Sequence, residues 1–294
     1  MAIETADFTF VQKLVRERAA IVLDNDKSYL VESRLLPVAR LSGCPTLGAL
    51  IGRLKAEPFN NLHTRVIEAM TTNETSFFRD RHPFDALKTR IIPELLQSRA
   101  AEKTLSFWCG ASSTGQEPYT VLMVLRESFP QLKDWKLKYY ATDINKEVLQ
   151  RAREGRYSQM EVNRGLPAAL LLKYFDKKGL DWQIKDEFRA QIDFREMNLA
   201  GSWLPFGQLD VVWVRNVMIY FDVATKKEIL GKIRRTLKPD GYLFLGGAET
   251  TMNLDDNFER VQLEQASCYQ LRKTASVTVA PRIQLAQPVV SRTA

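Results

Sequence analysis

A chain of 294 residues is long enough for an α/β catalytic domain of ordinary size plus a smaller appendage. A hydrophobic content of 45% with 26% charged residues fits a globular chain, and no apolar run approaches the ~20 residues that span a bilayer. The net charge of +7 leaves nucleic acid, an anionic membrane surface or an acidic protein open as partners, whereas three scattered cysteines and two histidines supply neither a disulfide framework nor a Cys/His zinc spacing, so no metal is expected.

The first ten residues carry Glu4 and Asp7 where a signal peptide needs a basic start and an apolar run, so a cytoplasmic protein is expected. From Phe8 to about Phe59 the pattern is helical, punctuated by Gly43, Pro45 and Pro58. Phe10, Val11, Leu14, Val15 and Ile21 fall on one face, and a further helix is expected over residues 62–70. Residues 1–82 therefore read as a small all-helical domain. A helix opening at Pro83 and running to Ser98 leads into a basic, polar stretch, so residues 83–103 are expected to be the connection to the next domain.

The grammar then changes to strand, glycine turn, helix, strand. Strands are expected at 105–108, 136–142, 209–214 and 242–245, the last launched from Lys238-Pro239-Asp240-Gly241. Helices are expected at 116–128 with Pro118 in the first turn, from the cap Asn145 to about Glu154, and at 224–237. Such alternation means a parallel sheet covered by helices, here over residues 104–273. Short extended pieces at 182–185 and 190–194 interrupt it and read as an inserted antiparallel β subdomain at about 160–197. A terminal strand pair is expected around Gln265-Ala266, and residues 274–294, lacking any apolar period, are expected to be disordered.

The segment Gly110-Ala111-Ser112-Ser113-Thr114-Gly115 follows a strand and opens a helix, where a backbone can approach a ligand closely and free N–H groups favour an electron-rich group. It lacks the full dinucleotide fingerprint, and no Gly-Lys-Ser/Thr follows, which argues against a nicotinamide enzyme and a P-loop NTPase. Asp143 closes the second strand, where a carboxylate can accept hydrogen bonds from both ribose hydroxyls of an adenosine. Its ordinary alternative is to turn the chain ahead of Asn145. Glu117 lies beside the glycine turn, with the alternative of an acid favoured by the helix dipole. Acids at this place suit a sulfonium cation better than a phosphate, and so point to S-adenosylmethionine (SAM).

Four blocks in register, Thr71-Thr72-Asn73-Glu74-Thr75-Ser76-Phe77-Phe78-Arg79, Ser112-Ser113-Thr114-Gly115-Gln116-Glu117-Pro118-Tyr119, Ala141-Thr142-Asp143-Ile144 and Arg215-Asn216-Val217-Met218-Ile219-Tyr220-Phe221-Asp222, resemble the CheR family of chemotaxis receptor methyltransferases. The resemblance implies an α/β fold: a class I SAM-dependent methyltransferase with a Rossmann-like sheet, a small all-helical N-terminal domain and an inserted antiparallel β subdomain. It implies Asn73, Thr75, Arg79, Glu117, Asp143, Asn198, Leu199, Arg215 and Asn216 as cofactor-binding residues, to which the glycine turn adds Gly110 and Gly115. It matches Tyr220 to a tyrosine near the transferred methyl, with Tyr220 or Arg215 expected to orient the substrate carboxylate. Phe77 and Phe78 read as packing residues. The Cys109-Gly110 pair departs from relatives that carry small residues ahead of the turn.

The implied reaction is methylation of glutamate carboxylates on the cytoplasmic domain of chemotaxis receptors, leaving glutamate methyl esters and S-adenosylhomocysteine (SAH). A glutamate with a pKa near ~4.3 is ionised at neutral pH and attacks without a general base. Base-amine methyltransferases carry an Asp/Asn-Pro-Pro-aromatic stretch where this chain has Arg215-Asn216-Val217-Met218, so no nucleic acid is expected as partner. A non-catalytic adaptor is the other rival, and the intact Gly110, Gly115, Asp143 and Asn216 argue against it. Arg34, Arg40, Arg53 and Lys55 are expected to form a basic face for the receptor. Some family members hold a receptor's C-terminal pentapeptide as a strand added to the insert. Here the connection 176–181 is short, with only Gly179, whereas tether-using members have a longer, glycine-richer loop. Pentapeptide binding is therefore expected to be absent, and the enzyme to be a monomer recruited to membrane receptor arrays without inserting.

Overall fold

The computed structural model describes residues 3–263 and 265–273, so the tail at 274–294 lies outside the described residues. Helices α1 (Thr5–Ala19), α2 (Ser28–Leu41), α3 (Leu47–Ala56) and α4 (Asn61–Met70) pack around Val11, Val15, Val31, Leu35, Ile51 and Val66, all fully buried. Polar caps set their starts. Thr46 accepts from the Ala49 N–H at 3.1 Å, and Asn60 and His63 cap α4 reciprocally. His63 also reaches the Leu54 carbonyl at 3.0 Å, which fastens α4 to the end of α3.

The expected helix at 83–98 is built in three pieces: α5 (His82–Ala86), a π-helical turn at Leu87–Ile91, and α6 (Ile92–Ser98). Pro93 has no N–H to donate. The turn ahead of it widens so that the Ile92 N–H bonds back to the Leu87 carbonyl. At the end of α6 the buried Arg99 meets Asp210 at 2.7 Å and Asp240 at 2.6 Å, fastening the connecting helix beneath the sheet.

The catalytic-domain elements follow as β1 (Thr104–Gly110), α7 (Gln116–Ser128), β2 (Lys136–Asp143) and α8 (Lys146–Glu154). The insert contributes β3 (Arg156–Tyr157), α9 (Gln159–Asn163), α10 (Ala168–Tyr174), β4 (Phe175–Lys178), β5 (Asp181–Ile184) and α11 (Asp186–Arg189). The chain then returns through β6 (Asp193–Glu196), β7 (Leu209–Val214), α12 (Val223–Thr236), β8 (Leu237–Phe244), β9 (Phe258–Leu263) and β10 (Ala266–Leu271). Among the described residues the main sheet runs β6-β2-β1-β7-β8-β10-β9, parallel from β6 to β8, with β10 antiparallel to both β8 and β9. A separate antiparallel sheet has the order β3-β5-β4.

The piece at 190–194 is not part of that antiparallel insert. Its strand, β6, lies parallel to β2 with Tyr140 opposite Asp193 and Asp143 opposite Glu196. As an edge strand it buries only Phe194 and leaves Asp193, Arg195 and Glu196 in water, so its pattern looks like an exposed hairpin strand. Strand β8 also begins earlier than expected. The stretch 238–241 is a bulge between the Leu209/Leu237 and Val211/Tyr242 pairings rather than a turn ahead of the strand.

In chain order the strands grow outward from β1 first toward β2 and later toward β7. The crevice at their carboxyl ends is therefore a topological switch point, the place where α/β sheets of this kind bind ligands. The helical domain sits over it.

Candidate active site

Strands β1, β2 and β7 end side by side and deliver the floor of one cleft, about 750 Å³ including its open mouth. After β1 the chain turns through Ala111 at φ 54° and Ser113 at φ 50°, left-handed conformations that are unusual for residues with a Cβ. The Ser112 N–H bonds the Thr142 carbonyl at 2.9 Å and the Gly115 N–H bonds Ser112 at 3.0 Å, which hold this shape. Gly115 stands at φ 93°, and a Cβ there would lie 3.0 Å from Ala152 and 3.1 Å from Tyr119. Gly110 is equally confined, with Trp108 at 2.9 Å from any added Cβ.

Asp143, at the end of β2, aims a buried carboxylate at this turn and accepts from the Ser113 N–H at 2.8 Å and from the Asn145 N–H at 3.0 Å. Burial pushes the Asp143 carboxyl above its ordinary value, opposed by those main-chain donors. Both readings of Asp143 thus meet in one residue. It turns the chain before Asn145, and it also lines the cleft.

The second wall comes from the segment joining the two domains. The carbonyl of Asn73 accepts from the Ser113 hydroxyl at 2.7 Å, and the Phe78 N–H donates to Thr120 at 3.2 Å. Phe77 is buried edge-on to Tyr157 and Phe175, as a packing residue should be. Asn73, Thr75 and Arg79 all line the cleft, and Arg79 donates to the Glu74 carbonyl at 2.9 Å. The helical domain adds Ala19 and Ile21. Ile21 forms an isolated bridge with Phe221, and the Val22 N–H reaches the Tyr220 carbonyl at 2.9 Å.

The loop after β7 carries Arg215, Asn216 and Tyr220, and all three face the cleft. Arg215 is buried and paired on both sides, with Glu117 in the first turn of α7 and with Asp80 at 2.5 Å. Glu117 also accepts from the Trp213 indole at 3.1 Å. Asn216 takes φ 56°, and its buried Oδ1 has no hydrogen-bond partner. Asn198 and Leu199 close the far side, where Asn198 donates to the Arg18 carbonyl at 2.7 Å.

The expected cofactor residues therefore converge: Gly110 and Gly115 shape the turn, and the others line the cleft itself. The basic residues expected to face a receptor do not share one environment. Arg34 is half-buried and donates to the carbonyls of Met70 at 2.7 Å and Thr71 at 3.1 Å and to the Thr72 hydroxyl at 2.9 Å. It shapes the end of α4 and the cleft wall from a half-buried position at the edge of the surface. Arg53 pairs with Glu57 at 2.7 Å and Lys55 with Asp7 at 2.6 Å, while Arg40 is exposed. Sequence reasoning passed over Glu249, whose carboxylate collects main-chain N–H groups of the loop after β7. Its only local signal is an acid following Gly246-Gly247 just after a strand.

These residues fit SAM. The described lining has the carboxylates of Glu74, Glu117 and Asp143 against the guanidinium groups of Arg79 and Arg215, a balance that suits a cationic ligand. The orphaned Asn216 Oδ1 is an acceptor still in need of a donor.

A family model described as the CheR methyltransferase SAM-binding domain matches residues 73–267, and one described as the CheR methyltransferase all-alpha domain matches residues 6–71. The chain is 38% identical over 277 residues to the chemotaxis protein methyltransferase Cher2 of Pseudomonas putida, covering 92% of this chain and 100% of that protein. It is 39% identical over 277 residues to chemotaxis protein methyltransferase 1 of Pseudomonas aeruginosa, with the same coverage of 92% and 100%. To the chemotaxis protein methyltransferase of Escherichia coli it is 34% identical over 265 residues, 88% of this chain and 89% of that one. The two family models meet in the segment that walls the cleft, one on the helical domain and one on the sheet domain, and the chain accordingly belongs to the CheR family of SAM-dependent methyltransferases.

Proposed function

We propose that this enzyme methylates glutamate side chains of chemotaxis receptors, producing glutamate methyl esters and SAH in sensory adaptation. The observation that carries this reading is the make-up of the cleft. Its described lining holds no His, Lys or Cys, and its carboxylates are engaged, Glu117 by Arg215, Glu74 by Arg164 and Asp143 by main-chain N–H groups. This arrangement suits a carboxylate nucleophile already ionised at neutral pH. The names of the relatives, chemotaxis protein methyltransferases, support receptors as the substrate class.

Bound SAM supplies an electrophilic methyl group on a sulfonium. The chain's own part is to bind, to align and to exclude water. Asp143 would take the ribose hydroxyls, Asn216 Oδ1 a donor of the cofactor, and Asn73, Thr75, Arg79, Asn198 and Leu199 the remaining walls. Arg215 is already neutralised by Glu117 and Asp80, so it can orient an incoming carboxylate without quenching it in a strong ion pair. Tyr220 lines the same space and is the second orienting residue.

Receptor approach is assigned to Arg40, Arg53 and Lys55 on the helical domain, with the enzyme acting as a monomer recruited to receptor arrays from the cytoplasm. Only Gly179 and Leu180 lie between β4 and β5. This short turn supports methylation without capture of a receptor pentapeptide, and calorimetry with an acidic, Trp-containing pentapeptide should show no binding where SAH binds. The central test is transfer of labelled methyl from SAM to receptor-containing membranes. Base-labile release of the label identifies a carboxyl ester, and stable label would point to another acceptor.

A further inference from the structure

We infer that Glu249 is a positioning residue for methyl transfer: its carboxylate fixes the loop that carries Arg215, Asn216 and Tyr220. The inference rests on the reading of the cleft as the methyl-transfer site. Glu249 lies just beyond β8, on a turn closed by its own N–H to the Gly246 carbonyl at 2.9 Å. Its Oε2 accepts from the Gly246 N–H at 2.6 Å and the Asn216 N–H at 2.9 Å. Its Oε1 accepts from Val217 at 2.9 Å, Met218 at 2.7 Å and, more distantly, Ile219 at 3.3 Å.

Consecutive main-chain N–H groups of one loop therefore converge on one side chain from the loop after β8. No helix or sheet ladder satisfies them at this place, and without the carboxylate they would be left unpaired. The hold matters because of what the loop contains. Asn216 sits at φ 56°, in the left-handed region that Asn adopts more readily than other residues with a Cβ, and keeps its buried Oδ1 in the cleft wall. Releasing its N–H frees the backbone to relax and carries Arg215 and Tyr220 with it.

Gly246 provides an independent sign that this packing is tight. A Cβ added there would lie 2.7 Å from Asn216 Nδ2, 2.8 Å from the Asn216 nitrogen and 2.8 Å from Glu249 Oε2. The strand end, the carboxylate and the loop are in direct contact, with no room for a side chain between them. Glu249 itself does not line the cleft. It therefore acts through the loop rather than on a reactant.

The test compares the wild-type chain with Glu249→Gln, Glu249→Asp and, as a change in the same turn, Gly247→Ala, whose added Cβ meets nothing within 4 Å. Glutamine keeps the shape but turns an amide N–H toward N–H donors. Its turnover with receptor membranes should fall about 100-fold, the loss typical of an ångström-scale misplacement of reacting groups. Amide exchange at residues 216–219 should accelerate in step while exchange in β1 stays slow. Glu249→Asp should recover part of both, and Gly247→Ala should match wild type. Turnover in Glu249→Gln within threefold of wild type would overturn the proposal, as would exchange that accelerates equally in β1, since that marks general unfolding. If the wild-type chain transfers no methyl to receptors, the reading of the cleft fails, while exchange at 216–219 still reports whether the carboxylate holds the loop.

Discussion

The Arg34 guanidinium donates at 2.7 Å to the Met70 carbonyl, and so a cation of α2 ends α4 and sets the direction in which the chain enters the cleft. The same group reaches Thr71 and Thr72, immediately before Asn73. Replacing Arg34 with Ala removes charge-assisted hydrogen bonds and leaves these carbonyls to find water, at a cost of about 1–3 kcal/mol. Chemical denaturation should show that loss, and calorimetry should show weaker SAH binding. Full SAH affinity with slowed receptor methylation would instead return Arg34 to the receptor-facing surface.

Asp143→Asn keeps the shape of the side chain but removes the charge that would receive the ribose. Binding of SAH should weaken by about 1.5–3 kcal/mol, roughly 10- to 150-fold. Asparagine keeps one of the two oxygens that hold the Ser113 and Asn145 N–H groups and so disturbs the turn less than Ala, and amide exchange at Ser113 and Asn145 reports how far the turn survives. Unchanged affinity in the folded variant would remove Asp143 from the binding site.

The same residue predicts a pH dependence of known sign. Burial raises the Asp143 carboxyl in the folded chain, so the folded state keeps its proton to higher pH than the unfolded state. Its contribution to stability is therefore present below the ordinary aspartate value and is lost as pH rises through the raised one. Ligand binding runs the other way, since only the ionised carboxylate accepts from both ribose hydroxyls. SAH affinity should decline on acidification from a pH above the ordinary aspartate range, and the decline should be absent from Asp143→Asn.

Arg40 and Arg53 lie away from the cleft on the helical domain, and Arg53 is held by an exposed pair with Glu57 and a long bond to the Ser42 carbonyl at 3.4 Å. Reversing both to Glu should slow methylation of receptor membranes several-fold, more steeply at low salt, while SAH affinity and thermal stability stay within error. A parallel loss of SAH binding would show that the substitutions disturb the fold.

The sequence was most legible where local chemistry decides. Pro118 marks the first turn of α7, Asn145 caps α8 with its own side chain, and the run of β7, apolar but for Asp210, reads as a buried central strand. The misjudged features depend on partners far along the chain. Nothing near Asp193 announces that it will pair with Tyr140 in β2, and nothing near Arg34 announces a carbonyl at Met70. Most of the cleft residues were legible because they fall in four compact blocks, with Asn198 and Leu199 outside them. Glu249 was not, because its role exists only after β7 and β8 have been laid side by side.

The contact of Ile21 and Val22 with Phe221 and Tyr220 makes the cleft a seam between two separately cored halves of the molecule. A molecule bound in the seam touches both halves and stabilises their docked arrangement over any opened one by RT ln(1 + [L]/Kd). In a cell where SAM or SAH is abundant, the ligand thus serves as part of the interdomain interface. Resistance of the joining segment to proteolysis becomes a direct gauge of how far the site is filled.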